Sequence, residues 1–212
     1  MKSIRALQEI IFPSRCLGCG VLGLAVCSSC RSDWHPHIYR QWSKTKPPFP
    51  IYSSVFYSIT GGKVLLSAKE NSLIAADEIV LNALNHSLEY FQREIRGDFL
   101  VPIPSRKSVA RLRGRQFISA LGNQLSQASG LPIYENLRHI RQVQDQSGLD
   151  AKSRAENLDG SLKSTNFLSG RAIVIDDLVT TGATLHEAVR ALRMIGIEVA
   201  GCVTACVAEP LR

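Results

Sequence analysis

A bulky apolar run, RAIVID at 171–176, is followed by an amphipathic helical pattern and then by a second apolar run, EVAGCVTACVA at 198–208. Strands this continuously apolar are buried on both faces, as in a parallel sheet. Between them, Leu185, Val189, Leu192 and Ile195 share one face of a helix expected over 184–195, which Gly196 ends. Strand, helix, strand in this order predicts a right-handed crossover within an open, mainly parallel α/β sheet. The chain has 212 residues, enough for one such core and a small accessory module. With 45% hydrophobic and 20% charged residues it is not a generally disordered chain.

The first strand ends in Asp176 and Asp177, and the loop TTGAT at 180–184 follows at once. In open α/β sheets the ligand crevice lies at the carboxyl ends of the strands. Neighbouring residues of a strand point to opposite faces, so both acids can serve one ligand only where the strand is ending. There they can accept from two vicinal hydroxyls, directly or through Mg²⁺, which favours oxygen ligands. The loop runs into a helix N-terminus, where backbone N–H groups and the helix dipole favour an anion. Gly182 allows close backbone approach, Ala183 contributes its amide, and Thr180, Thr181 and Thr184 add hydroxyl donors. A diol beside a phosphate describes a ribose 5-phosphate. The plainer alternative is a capping box in which Thr184 and Glu187 merely start the helix.

Elsewhere, IYSSVFYSI (51–59) is strand-like and 62–94 is helix-prone. DFLVPIP (98–104) reads as a short strand, 114–129 as a helix closed by Gly130, and LPIYENL (131–137) as a possible strand. Asp150 is a candidate N-cap for a short helix in GLDAKSRAENL. Lys63 and Lys69 read as ordinary surface lysines. Ile4, Leu7 and Ile11 suggest a short amphipathic helix stopped by Pro13. Three prolines near the end of WHPHIYRQWSKTKPPFP (34–50) mark a linker. We therefore expect a boundary near residue 50, with a small module at 1–50 and the main domain at 51–212.

Cys16-x₂-Cys19-x₇-Cys27-x₂-Cys30 supplies two paired chelating loops. Four thiolates suit a tetrahedral structural Zn²⁺, and so small a module needs a staple. The short x₇ separation requires the loops to meet across a tight turn. Redox dithiols or a disulfide are the alternatives, and a cytoplasmic location disfavours them. His35 and His37 read as bystanders, Cys202 and Cys206 as small buried hydrophobes. Of the +7 net charge, +5 lies in residues 1–50, which fits either a polyanionic partner or a solvated face. No run of about 18 apolar residues is present and the start does not read as a signal peptide, so a cytoplasmic protein is expected.

VIDDLVTTGAT (174–184) closely resembles the phosphoribosyl-pyrophosphate (PRPP) motif of type I phosphoribosyltransferases. With IIFPSRCLGCG, VPIPSR, RLRGR and DQSGLDAKSRAENLDGSL, the chain resembles the ComF/GntX family within that superfamily. Many relatives read RGFN where this chain has Arg115, Gln116, Phe117 and Ile118. The resemblance implies a type I phosphoribosyltransferase fold using Mg²⁺, with Asp176 and Asp177 as the catalytic pair. It also implies that Ser105, Arg106 and Lys107 hold pyrophosphate, where fixed cations stabilise the charge that builds as the C1–O bond breaks. Arg111, Arg113 and Arg115 extend that basic cluster or simply form a solvated helix start. Arg138, Arg141, Gln146, Arg154 and Asn157 would belong to a lid, or to an exposed helix face. In some bacteria the resemblance implies a part in natural DNA uptake, with single-stranded DNA and a helicase as partners. The rival classes are a non-catalytic nucleic-acid or nucleotide-sensing module, whose stacking surface would be Trp34, Tyr39 and Trp42, aromatics that fit a ribbon packed on the main domain equally well, and a regulator that kept the pocket but lost turnover.

Overall fold

The structure, a computed structural model, describes residues 14–71, 73–141 and 157–208. The helix expected near 4–12, the Asp150 cap, Gln146 and Arg154 lie outside those residues. Seven strands are present among them: β1 Tyr39–Trp42, β2 Pro50–Phe56, β3 Phe99–Pro102, β4 Leu137–His139, β5 Leu162–Ser164, β6 Arg171–Val179 and β7 Glu198–Val207. Helices are α1 Ser28–Arg31, α2 Ile59–Asn71, α3 Ile74–Glu94, α4 Lys107–Arg113, α5 Phe117–Ser129 and α6 Ala183–Arg193. The main sheet runs β1-β2-β7-β6-β3, and β4 and β5 form a separate two-stranded sheet. Only β1 is antiparallel in the main sheet; β2 with β7, β7 with β6 and β6 with β3 are parallel. The open, mainly parallel α/β architecture read from the apolar runs is the one observed.

Two apolar clusters cover the two faces of this sheet, and β6 feeds them alternately. Ala172 and Val174 pack with Leu185, Val189 and Leu192 of α6, whereas Ile173 and Ile175 pack with residues of α2, α3 and α5. That period of two is what a strand buried on both faces requires. At Gly201 of β7 the packing leaves no room for a side chain. A Cβ there would stand 2.8 Å from the carbonyl oxygen of Pro50 and 2.6 Å from the Phe91 ring.

Several boundaries differ from the sequence reading. The helix expected over 62–94 is two helices, α2 ending at Asn71 and α3 opening at Ile74. The helix expected from 114 begins at Phe117, because Gly114, at φ 71°, closes α4 instead. The segment 131–137 makes one isolated bridge, Ile133 to Leu100, before β4 begins. The proline-rich 34–50 carries the edge strand β1 rather than being all linker. Trp34 is buried in the core cluster with Cys16, Val26 and Cys30, and so is no stacking platform.

Candidate functional site

Strand β6 outruns β3. Their pairing stops at Pro102 opposite Ile175, while β6 continues alongside β7 to Val179. Asp176 and Asp177 therefore lie within β6, not at its end, but on the stretch that β3 leaves open. Both line one cavity of ≈ 270 Å³ together with Lys69, Ser105, Arg106, His139 and Thr184. Asp177 is 5% exposed, and its backbone N–H donates to Asp176 Oδ1 at 2.9 Å. Alternation along β6 aims Asp177 at the face covered by α2, from which the Lys69 ammonium forms an ion pair with it. Burial pushes the Asp176 carboxyl up and the neighbouring Asp177 charge pushes it further, well above the usual carboxylate range. Burial acts the same way on Asp177, but the Lys69 ammonium outweighs it and holds Asp177 below that range. Burial opposes the charge on Lys69 too, yet Asp177 keeps its ammonium above the ordinary lysine value. The two carboxyls are thus shifted in opposite directions, Asp176 towards its protonated form and Asp177 towards its ionised one.

Sequence reasoning took Lys69 for a surface lysine; the structure sets it in the cavity. Nothing in its local sequence marks this, because the contact bridges helix and strand far apart in the chain. Thr184 also lines the cavity, and Gly182, at φ 77°, precedes α6 as its N-cap. Thr181 Oγ1 accepts a long 3.4 Å bond from the Ala183 amide. Thr180, Thr181, Gly182 and Ala183 form the turn beside the cavity without lining it as it stands. The capping box is not formed. Glu187 is buried, accepts from the Leu162 amide at 2.7 Å and pairs with Arg190, which ties α6 to β5.

The turn after β3 brings Ser105 and Arg106 to the acid pair, and Lys107 opens α4 just beyond. Gln116 holds this turn in place: its Oε1 accepts from the Ser105 N–H at 2.9 Å and its Nε2 donates to the Ser105 carbonyl at 3.3 Å. Gln116 is one of the positions where the chain departs from RGFN, and this two-way bond is what it does here. Arg106, Lys107, Ser108, Arg111, His139, Ile140 and Arg141 surround a larger adjoining cavity of ≈ 610 Å³. Arg113 lines the small cavity while pairing with Glu70, and Arg115 is spent elsewhere, on Asp77. Of the expected lid residues, Arg141 lines the large cavity and donates to the Asp159 carbonyl at 2.5 Å. His139 spans both cavities, and its Nε2 lies 3.0 Å from the Pro104 carbonyl. Burial lowers its pKa, so the ring is neutral and Nε2 is the donor.

The four cysteines of the N-terminal module converge, their sulfurs all within 4.8 Å of one another. They are positioned to bind a metal ion. Burial opposes ionisation of Cys16, but the backbone N–H groups of Cys27, Cys19 and Gly18 prevail and lower it to about 6. Burial and the neighbouring sulfurs push Cys30 up to about 12. Four sulfurs this close fit a soft tetrahedral cation.

With this geometry in view, residues 86–210 match the phosphoribosyl transferase domain family. The chain belongs to that phosphoribosyltransferase family. Competence protein F of Haemophilus influenzae is 31% identical over 104 residues, which are 47% of this chain and 45% of that protein. The match thus spans less than half of its curated relative. Among solved structures, an adenine phosphoribosyltransferase aligns over 87% of this chain and 92% of its own, at 15% identity and TM-score 0.45. That of Thermoanaerobacter pseudethanolicus aligns over 85% and 96%, at 14% identity and TM-score 0.41. The acid pair, the Ser105 turn and the TTGAT loop lie inside the matched phosphoribosyltransferase segment, whereas the cysteine cluster and Lys69 precede it. For Mg²⁺, the donor chemistry of the small cavity fits. Asp176, Asp177, Ser105 and Thr184 present only oxygens, the ligands a hard cation prefers, and Asp176 is the carboxylate not bound to Lys69. Among the described residues no helix is long and apolar enough to cross a membrane.

Proposed function

We propose that this phosphoribosyltransferase-family protein binds PRPP, with Asp176 and Asp177 on the ribose hydroxyls, Thr184 and the turn before α6 on the 5-phosphate, and Ser105, Arg106 and Lys107 on the pyrophosphate. The observation that carries this reading is the single cavity in which the acid pair, Thr184, Ser105 and Arg106 meet. Two adjacent carboxyl groups can accept from the hydroxyls of a vicinal diol. Arg106 and Lys107 stand where negative charge grows as pyrophosphate leaves C1, so they stabilise the transition state more than the ground state. Mg²⁺, held by Asp176 and by oxygens of the ligand, would supply further neutralisation of the diphosphate. PRPP with Mg²⁺ should raise the melting temperature, and Asp176→Asn with Asp177→Asn should abolish that rise in a still-folded protein. Pyrophosphate release across a panel of bases separates turnover from sensing. Retention of full PRPP affinity by the double variant would sink the assignment.

We further propose that Cys16, Cys19, Cys27 and Cys30 hold one structural Zn²⁺, within a module at residues 1–50 that precedes the main domain at 51–212. Metal analysis of freshly reduced protein should find one zinc per chain, lost in Cys16→Ser; well under one equivalent in the wild type refutes it. From the likeness to Competence protein F we infer a part in DNA uptake in the cytoplasm, with single-stranded DNA and a helicase as partners. The observation favouring a DNA surface is Trp42, 64% exposed on the edge strand near Lys44 and Lys46. Arg40 is engaged by Glu94. With two lysines left, the log–log salt slope of DNA binding is about −1.4, at roughly −0.7 per phosphate contact. A slope of zero rules the surface out.

A further inference from the structure

We propose that Lys69 is a positioning residue of the candidate site, and that the metal state of the cysteine cluster sets its position through helix α2. The proposal rests on the sugar-phosphate reading of the small cavity and names a regulation of that site. Helix α2 touches the cluster at its start. Gly18, between Cys16 and Cys19, is wedged so tightly that a Cβ would stand 2.6 Å from Cys30 Sγ and 3.1 Å from Thr60 Cγ2. Lys63 Nζ donates to the Gly18 carbonyl at 2.6 Å, and Thr60 Oγ1 donates to Asp33 Oδ2 at 2.9 Å. Near its other end the same helix touches the site at two points: Lys69 pairs with Asp177, and Glu70 pairs with Arg113, which lines the same cavity. A 13-residue helix spans about 20 Å at ~1.5 Å per residue, so one rigid element joins the cluster to both the acid pair and the basic helix.

The cluster has two discrete states. With a cation, four sulfurs share one centre and pin the loop that carries Gly18 against Cys30 and Thr60; without it that tie is gone, and the loop can shift against α2. The start of α2 follows Gly18 and Thr60, and Lys69 follows α2. Loss of the ammonium leaves the buried Asp177 and its neighbour Asp176 without their counter-charge, and the geometry that meets the diol is lost. Coupling of this kind is reciprocal, so PRPP also tightens metal binding.

The test is a thermodynamic cycle on the full chain. PRPP affinity with Mg²⁺ is measured in zinc-loaded and chelated protein, for the wild type, Lys69→Met and Lys69→Arg. Chelation should weaken binding on the order of tenfold in the wild type, inside the usual coupling range of ~5–150-fold. It should change Lys69→Met by less than about twofold, while Lys69→Arg keeps the coupling. Without PRPP, chelation should speed amide exchange in 63–71 and 176–179. Lys63→Met keeps every cysteine and cuts the bond to Gly18; it should reproduce part of the affinity loss at full zinc, even where chelation unfolds the chain. Equal losses in wild type and Lys69→Met, or unchanged exchange in α2, overturn the proposal. A wild type that binds no PRPP sinks the sugar-phosphate reading instead, and the exchange measurement still decides whether the metal reaches Lys69.

Discussion

Arg115 donates from both terminal guanidinium nitrogens to the carboxylate of Asp77, at 2.5 and 2.8 Å. The nitrogen that makes the longer of these bonds also donates to the Ala68 carbonyl at 2.6 Å, and the guanidinium lies over the Phe117 ring, 5.1 Å from its centre. This side chain joins α2, α3 and the start of α5, and it is not aimed at a ligand. Removing one partner of a buried pair costs about 3–5 kcal/mol; for this partly exposed pair we expect roughly 2–4 kcal/mol in Arg115→Met. PRPP affinity should stay within twofold. Arg106→Gln with Lys107→Gln should do the reverse, losing affinity while stability changes by about 0.5 kcal/mol or less. Denaturant melts and calorimetry on the two variants decide it; a stable Arg115→Met that fails to bind PRPP reverses the assignment.

What the sequence revealed and hid around this arginine follows from the range of each interaction. The strand-helix-strand unit of β6, α6 and β7 was legible because burial on both faces writes apolar runs directly into the chain. Asp176, Asp177 and the TTGAT loop were legible because their chemistry is contiguous. The cysteine spacing was legible for the same reason, and the sulfurs do converge. Lys69 and Arg115 were not. Each is a basic residue, Lys69 on α2 and Arg115 in the turn between α4 and α5, and only the packing of α2 against β6 and α3 separates a site lysine, a structural arginine and a solvated charge. Glu187 misled in the opposite sense: its spacing from Thr184 fits a capping box, but a tertiary bond to Leu162 took the carboxylate. Gly114 looked like the start of a helix because glycine alone does not say which side of it is helical.

Gln116 makes the third residue whose role only the fold discloses, and it is open to a direct check. The Ser105 turn has no helix or ladder bond of its own at that amide, so the Gln116 side chain fixes where Arg106 and Lys107 begin. Gln116→Ala removes an acceptor and a donor from a partly buried backbone pair, a loss of about 1–2 kcal/mol. Part of that loss should appear as weaker pyrophosphate binding, around three- to tenfold, since roughly 1.4 kcal/mol is tenfold. Amide exchange at Ser105 should quicken in the same variant. If pyrophosphate affinity and Ser105 exchange both match wild type, the turn is held by something else.

Asp176 carries the prediction with the least intuitive sign. Its carboxyl is raised above the unfolded value by burial and by the Asp177 charge, so folding favours its protonated form. Its stabilising contribution is complete below the ordinary carboxylate pKa and is lost as pH rises through the folded value. Asp177 runs the other way. The Lys69 ammonium holds it below its ordinary value, so its contribution is present above that value and disappears as pH falls through the folded one. Asn mimics a protonated Asp and keeps an oxygen for the Asp177 amide. Asp176→Asn should therefore melt higher than wild type at pH 7, by about 2–4 °C for each kcal/mol relieved in a chain of this size. The gain should shrink towards zero below pH ~4, the ordinary carboxylate range, where the wild-type carboxyl is protonated as well. Asp177→Asn should melt lower than wild type at pH 7, because it leaves Lys69 without its counter-charge. Both variants should lose PRPP binding. A site that becomes more stable as it loses its ligand is holding strain for function rather than for the fold. Melting curves of the three proteins at pH 4 and pH 7 decide the point: an Asp176→Asn that melts lower than wild type at pH 7 means the acid pair is structural.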